Sequence, residues 1–183
     1  MRKILHYVHM SLDGYINGPG GAFDWAELSP ELGRYSDSLS ARTDTLLYGR
    51  AVWDMMSSYW PTLPPEADDA HDQAYAPRWL STPKVVVSNT LTEADWNTRV
   101  IRIDDVEKLK AEPGGDILLM GGARLANSLT ERGLIDEYHV CVAPVVLGGG
   151  QPLWPAGRDR LKLDLVEQTP CDGRVVVLRY RSA

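Results

Sequence analysis

The sequence predicts a layered α/β domain built on a largely parallel sheet. Short apolar or β-branched runs alternate with helical stripes along most of the chain. Two of those runs end in glycine immediately before a helix, at Tyr48-Gly49-Arg50 and at Met120-Gly121-Gly122-Ala123-Arg124. The chain then closes on two strand-like runs, Leu161 to Glu167 and Arg174 to Tyr180, across the turn residues Cys171-Asp172-Gly173. That last pair should add antiparallel strands at one edge.

Taken in order, Lys3 to Met10 alternates as a first strand, with Ile4, Tyr7 and Val8 apolar. The following Ser11-Leu-Asp-Gly-Tyr-Ile-Asn-Gly-Pro-Gly-Gly is too rich in turn residues to be regular. A long loop leaving a central strand is a common place for a mobile cover over a site. Asp13 within it reads equally as a turn-former and as a ligand contact. Ser29-Pro30-Glu31 looks like a helix start, and Leu32, Tyr35 and Leu39 continue as a core stripe.

Thr43 to Tyr48 is the second strand, with a helix through Val52, Trp53 and Met56 after Gly49-Arg50. Pro61 to Pro83 is proline-rich and acidic, with room for one helix around Glu66 to Tyr75. Lys84 to Val87 is a β-branched third strand leading into Ser88-Asn89-Thr90, which could grip a phosphate or ribose or simply shape a turn. Val100 to Ile103 is another strand, and Asp104 to Glu107 resembles a capping box opening a helix to about Ala111. Ile117 to Met120 is short and wholly apolar, as a strand buried on both faces should be. Ala123 to Arg132 follows as a helix ended by Gly133, and Glu137 to Ala143 as the next strand. A glycine-rich connection runs from Pro144 to Trp154.

At 183 residues, with 44% hydrophobic and 24% charged residues, the chain suits one globular domain over 1–183. The formal net charge of −6 argues against a nucleic-acid partner, which wants a basic face. Cys141 and Cys171 form no CxxC motif, and His6, His9, His71 and His139 lack ligand spacing. Buried thiols, core or surface histidines and no metal site are the expectation. There is no signal-peptide layout and no membrane-spanning apolar run, so a cytoplasmic protein without a membrane partner is expected.

Chemistry should lie where the strands end. In open α/β sheets ligands sit beyond the C-terminal ends of the strands. The first loop, Gly49-Arg50, Ser88-Asn89 and Gly121-Gly122 all follow predicted strands. Bare glycine backbone lets a ligand approach closely, helix N-termini attract phosphate, and Arg50 and Arg124 add fixed positive charge. For Gly121-Gly122 the alternative is an ordinary strand-to-helix turn.

Several short motifs, in this order, resemble the dihydrofolate reductase superfamily, and within it the riboflavin-biosynthesis (RibD) C-terminal reductase domain branch. They are Ser11-Leu-Asp-Gly-Tyr-Ile, Asp44-Thr-Leu-Leu-Tyr-Gly-Arg, Val86-Val-Ser-Asn, Leu119-Met-Gly-Gly-Ala-Arg-Leu, Leu134-Ile-Asp-Glu-Tyr and Ala143-Pro-Val-Val-Leu-Gly-Gly-Gly. The resemblance covers nearly the whole chain. It implies a three-layer dihydrofolate reductase-like fold and an NADPH-dependent oxidoreductase acting on a small heteroaromatic, pteridine-like or ribosylamino-pyrimidine-type substrate. Alternatives are 5-amino-6-(5-phosphoribosylamino)uracil reductase, dihydrofolate reductase proper, and a non-catalytic NADPH- or aromatic-ligand-binding protein.

By the same resemblance Gly49 and Arg50 meet the cofactor phosphates, and Ser88 and Asn89 the adenosine ribose and its 2′-phosphate. Gly121, Gly122, Ala123, Arg124 and Leu125 hold the pyrophosphate and nicotinamide half. Met10, Ser11, Asp13 and Ile16 border the nicotinamide and the reacting substrate. Asp13 and Glu31 are the candidate acids, Glu31 reading equally as a first-turn charge on the helix dipole. Tyr15, Trp25, Tyr48, Trp53 and Trp154 are candidates for the substrate side. A homodimer, formed through the C-terminal strands, is implied as well.

Overall fold

The computed structural model describes every residue except 27, 65–69 and 158. Its spine is β1 (Ile4–Ser11), whose alternating side chains divide the interior into two apolar layers. Ile4 packs into one layer, Leu5 and Tyr7 into the other. A short strand β2 (Tyr15–Asn17) follows, then α1 (Pro30–Arg42), β3 (Thr43–Gly49) and α2 (Arg50–Tyr59). The chain continues through α3 (Ala70–Ser81), β4 (Lys84–Val87), β5 (Thr98–Ile101), α4 (Val106–Ala111), β6 (Asp116–Gly121) and α5 (Ala123–Glu131). It ends with β7 (Glu137–Ala143), β8 (Gln151–Pro152), β9 (Leu163–Cys171) and β10 (Val175–Ser182).

Eight strands form one sheet in the order β5-β4-β3-β6-β1-β7-β10-β9. Every neighbouring pair from β5 to β7 is parallel, and β10 runs antiparallel to both β7 and β9. The largely parallel sheet and its closing antiparallel pair are therefore as the sequence indicated. Leu32 and Leu39 of α1, Trp53 of α2 and Trp79 of α3 cover one face; Val106 and Leu109 of α4 and Leu125, Ala126 and Leu129 of α5 cover the other. Fully burying a leucine such as Leu32 or Leu129 contributes about 1.5–3 kcal/mol.

Local signals explain most element ends. Ser29 Oγ accepts a hydrogen bond from Leu32 N (3.4 Å) with proline at the first helical position, which starts α1. Asp172 and Gly173, with φ of 49° and 67°, make the tight turn between β9 and β10.

Four readings need correction. The first loop is not wholly irregular: Tyr15 pairs with Pro152 and Asn17 with Gln151, forming a small β2–β8 ribbon. The helix placed around Glu66 to Tyr75 runs instead from Ala70 to Ser81, through Pro77; residues 66–69 of that stretch lie outside the described residues. Burial of Trp79, whose Nε1 donates to Tyr48 Oη at 3.0 Å, offsets the cost of the internal proline. The capping box does not form. Residues Ile103–Asp105 make a 3-10 turn, Asp104 pairs with Arg132, and Asp105 accepts from Lys108. Finally, the closing strands begin at Leu163 and Val175.

The N-terminal edge of the sheet carries charges that neutralise one another. Arg2 pairs with Asp44, Lys110 with Asp136 (2.6 Å), and Arg42 with both Asp116 (3.2 Å) and Glu137 (3.4 Å). Burial pushes the Glu137 carboxyl upward, but hydrogen bonds from Lys3 and Arg42 and the charges of Arg42 and Arg179 outweigh it and hold the pKa at about 2. Cys141 and Cys171 are buried free thiols.

Candidate functional site

The opposite, C-terminal edge is where two strand-to-helix turns meet. β3 and β6 are neighbours, and Tyr48 pairs with Gly121. A Cβ added to Gly49 would lie 3.3 Å from both Gly122 N and Leu125 Cβ, and one added to Gly122 would lie 3.2 Å from Val52 Cγ2. Glycine is thus required because the two turns touch. Gly121 adds a conformational reason, with φ at 106° and a cis peptide to Gly122. Neither α2 nor α5 has a side-chain N-cap, so two bare helix N-termini lie side by side.

Beside this junction is a cleft of about 400 Å3 lined by Gly49, Arg50, Ser88, Asn89, Arg124, Leu125 and, further along α5, Ser128 and Arg132. Six of the residues singled out in the sequence therefore meet in one place. Arg124 and Ser128 of α5 and Arg132 at its C-cap lie at four-residue spacing along one face. The sequence carries that spacing as a local signal of one helix face.

The cations differ in what they already hold. Arg50 Nε donates to Asp54 at 2.7 Å, Arg132 pairs with Asp104 at 2.8 Å, and Arg102 donates to the Ser88 carbonyl. Arg124 has no ion pair or hydrogen bond among the described residues. Ser88 Oγ accepts from Thr90 N (3.2 Å) and Leu91 N (3.0 Å), so its hydroxyl shapes the turn while Asn89 stands exposed beside the cleft.

The first loop is held by Ser11 and Asp13. Ser11 Oγ is buried, donates to Asp13 Oδ1 (2.7 Å) and accepts from Tyr15 N (2.9 Å). The Asp13 carboxylate also accepts from Leu147 N (3.1 Å) and Gly148 N (2.8 Å), tying the first loop to the glycine-rich connection. The Ser11 hydrogen bond, helped by those two amides, holds its pKa below the ordinary value. Asp13 is thus a fixed, ionised acceptor, which suits a latch better than a proton donor. Met10 and Ile16 are half-buried against the α5-side layer, next to it.

Glu31 is not brought to the cleft. Its backbone N donates to Asp172 Oδ2 (2.9 Å), its carboxylate accepts from Asp172 N, and the pair locks α1 to the β9–β10 turn. Of the aromatic candidates, Tyr48 and Trp53 belong to the core, Trp154 packs on Tyr138 at 5.9 Å, and Tyr15 sits in the β2–β8 ribbon. Only Trp25 lies with other aromatics at the end of β1, together with Phe23 and with His9, for which the sequence suggests only a core or surface place.

A mostly parallel sheet between helical layers, an antiparallel C-terminal pair and a glycine-built cleft at the strand ends define a dihydrofolate reductase-like fold. Comparison with known proteins narrows this. The RibD C-terminal domain model matches residues 2–177, and the chain belongs to that family. It is 35% identical over 182 residues to the uncharacterized protein YyaP of Bacillus subtilis (strain 168), covering 98% of this chain and 94% of YyaP. A second protein of that organism, the uncharacterized YwjB, is 30% identical, covering 98% and 97%.

Among solved structures, a Shewanella sp. PV-4 protein described as a riboflavin biosynthesis protein superposes with a TM-score of 0.76 at 25% identity, covering 100% of this chain and 99% of that one. The Thermotoga maritima diaminohydroxyphosphoribosylaminopyrimidine deaminase/5-amino-6-(5-phosphoribosylamino)uracil reductase has a TM-score of 0.69 at 12% identity. This chain covers 57% of that protein's length. The family supports a reductase-like oxidoreductase. Among the described residues no helix is long and apolar enough to cross a membrane.

Proposed function

We propose that this protein is an NADPH-dependent reductase that passes a hydride to a small heteroaromatic, pteridine-like or ribosylamino-pyrimidine-type acceptor. The observation that carries the reading is the convergence of two uncapped helix N-termini and the unpaired Arg124 on one cleft. Such a cleft fits a ligand bearing several phosphates. The glycine junction leaves the backbone bare where a pyrophosphate would pass, and first-turn residues of both helices, Arg50 of α2 and Arg124 and Leu125 of α5, line the cleft. Arg50 can exchange its exposed bond to Asp54 for a phosphate at little cost. Two such arginines favour a dinucleotide with an additional phosphate, NADPH over NADH.

The cofactor supplies the hydride; the protein binds, orients and excludes water. Arg124 and the α5 N-terminus fix the phosphates, Ser11 and Asp13 hold the first loop over the end of β1, and Met10 and Ile16 offer an apolar border. The test is titration calorimetry with NADPH and NADH. Arg124→Ala is expected to weaken NADPH binding roughly 10- to 100-fold, from about 1.5–3 kcal/mol for a charge-assisted hydrogen bond. Unchanged affinity in that variant, or no heat from the native protein, overturns the reading.

One observation favours a second reading, a binding protein without turnover: the carboxylates of Asp13 and Glu31 are both already engaged. NADPH oxidation against dihydrofolate, 5-amino-6-(5-phosphoribosylamino)uracil and simple pterins separates the two, since tight binding without oxidation selects the second. The proposal also includes a cytoplasmic location and a homodimer. Supporting the dimer, Val142, Val176, Leu178, Tyr180 and Leu165 form a partly exposed apolar row across β7, β10 and β9. Cross-strand pairing puts these side chains on the face away from α1.

A further inference from the structure

The end of β1 carries an aromatic group that the cofactor reading does not use. The His9 ring lies 5.4 Å from Tyr7 at an interplanar angle of 77°, and 6.4 Å from Phe23 at 80°. Phe23 in turn lies 5.5 Å from Trp25 at 69°. These are edge-to-face contacts, which leave ring faces open for a further stacking partner. Phe23 is 54% exposed, a large apolar ring turned outward at the mouth of this group.

Three polar groups among these rings are unspent, the buried Tyr7 Oη being one of them. Trp25 Nε1 is buried and has no hydrogen-bond partner among the described residues. His9 likewise shows no hydrogen bond there. Burial lowers its pKa to about 4, so at neutral pH one ring nitrogen donates and the other accepts. A buried donor left unpaired is costly and calls for an explanation, which a ligand would supply. The position suits one. His6 pairs with Leu119, so the later residues of β1 run alongside the Gly121–Gly122 bend, and Met10 follows directly.

We propose that His9 and Trp25 are specificity-determining residues, reading by hydrogen bonds an uncharged, planar heteroaromatic ring that stacks on Phe23. This rests on the reductase reading for the ring's role as hydride acceptor, and adds to it how the acceptor is recognised. Recognition at this end is by stacking and neutral hydrogen bonds, whereas the cleft beyond Gly49 recognises charge. The imidazole accepts from or donates to the ring edge, the indole N–H meets a ring carbonyl or nitrogen, and the phenyl covers a face.

The experiment measures binding of lumichrome, 6-methylpterin and ribose 5-phosphate to the NADPH-loaded protein by calorimetry, with NADPH affinity measured separately. The native protein is expected to bind at least one of the two rings and not the sugar phosphate. His9→Leu should weaken ring binding roughly tenfold, the effect of one lost hydrogen bond, while His9→Gln should stay within about threefold. Phe23→Ala, at an exposed position that folding tolerates, should weaken it roughly five- to tenfold through lost stacking. NADPH affinity should stay within about twofold in all three.

Ring binding unchanged in both His9→Leu and Phe23→Ala overturns the proposal, as does saturation by ribose 5-phosphate with neither ring bound. No ring binding by the native protein overturns it too. If the native protein fails to bind NADPH, the reductase reading falls separately, and the ring titrations on the cofactor-free protein still decide this inference.

Discussion

Asp13 shows how a single carboxylate can organise a site without taking part in its chemistry. Its two oxygens accept from Ser11 Oγ and from the amides of Leu147 and Gly148, 134 and 135 positions away along the chain. Asp13→Asn replaces one oxygen with an NH2 that cannot accept, so at least one of those amides is released. Faster hydrogen exchange in the segment 144–150 is expected, with no change in β6 or α5; unchanged exchange would remove the latch. The sequence left Asp13 open between turn-former and ligand because both of its amide donors come from a loop far along the chain. Glu31 was ambiguous for the same reason, its partner Asp172 lying 141 positions away. Arg124 was legible, because its placement in the first turn of a helix needs only local spacing.

Among the elements, those with a periodic, compositional or capping signal are the legible ones: α1 from its serine–proline start, and β4 from its β-branched run. The β2–β8 ribbon was missed because its strands have three and two residues, too short for any period, and pair across 130 positions or more. Gly150 is its one local mark. With φ at 121°, an added Cβ would sit 2.0 Å from Asn17 O. Gly150→Ala combines this overlap with a strained backbone costing on the order of 1–3 kcal/mol, so a Tm fall of at least about 4 °C is expected by calorimetry. A fall below about 1 °C would mean the ribbon yields without cost. α3 extends further than the sequence indicates, because burial of Trp79 two residues after Pro77 keeps the helix going.

On the scale of the whole molecule, acid sensitivity follows from its buried histidines. His6 and His9 are lowered from 6.5 to about 4 by burial, with the His139 charge adding to the effect at His6; burial also takes His139 to about 4 against the opposing pull of Glu137. Because the unfolded chain takes up these protons first, the stability they lend is complete above pH 6.5 and lost progressively down to about 4. Glu137, held at about 2 against an ordinary 4.5, extends the loss below that window. Denaturant midpoints measured from pH 7.5 to 4 should fall steadily, and a flat profile would contradict the burial. For assembly, sedimentation equilibrium should give twice the 20.3 kDa of one chain, and Leu178→Glu, placing a charge in the apolar row, should give the single mass.

The separation of paired charges at one end of the sheet from the unpaired Arg124 at the other bears on how a ligand arrives. A chain of formal charge −6 repels a polyanion at long range, and only within roughly 8 Å, the screening distance at physiological ionic strength, can the local arginines take over. Added salt should therefore act in opposite directions on the two halves of the encounter. It quickens the approach by damping the net repulsion and hastens departure by loosening the grip, so the on-rate and the residence time of a phosphorylated ligand diverge as ionic strength rises.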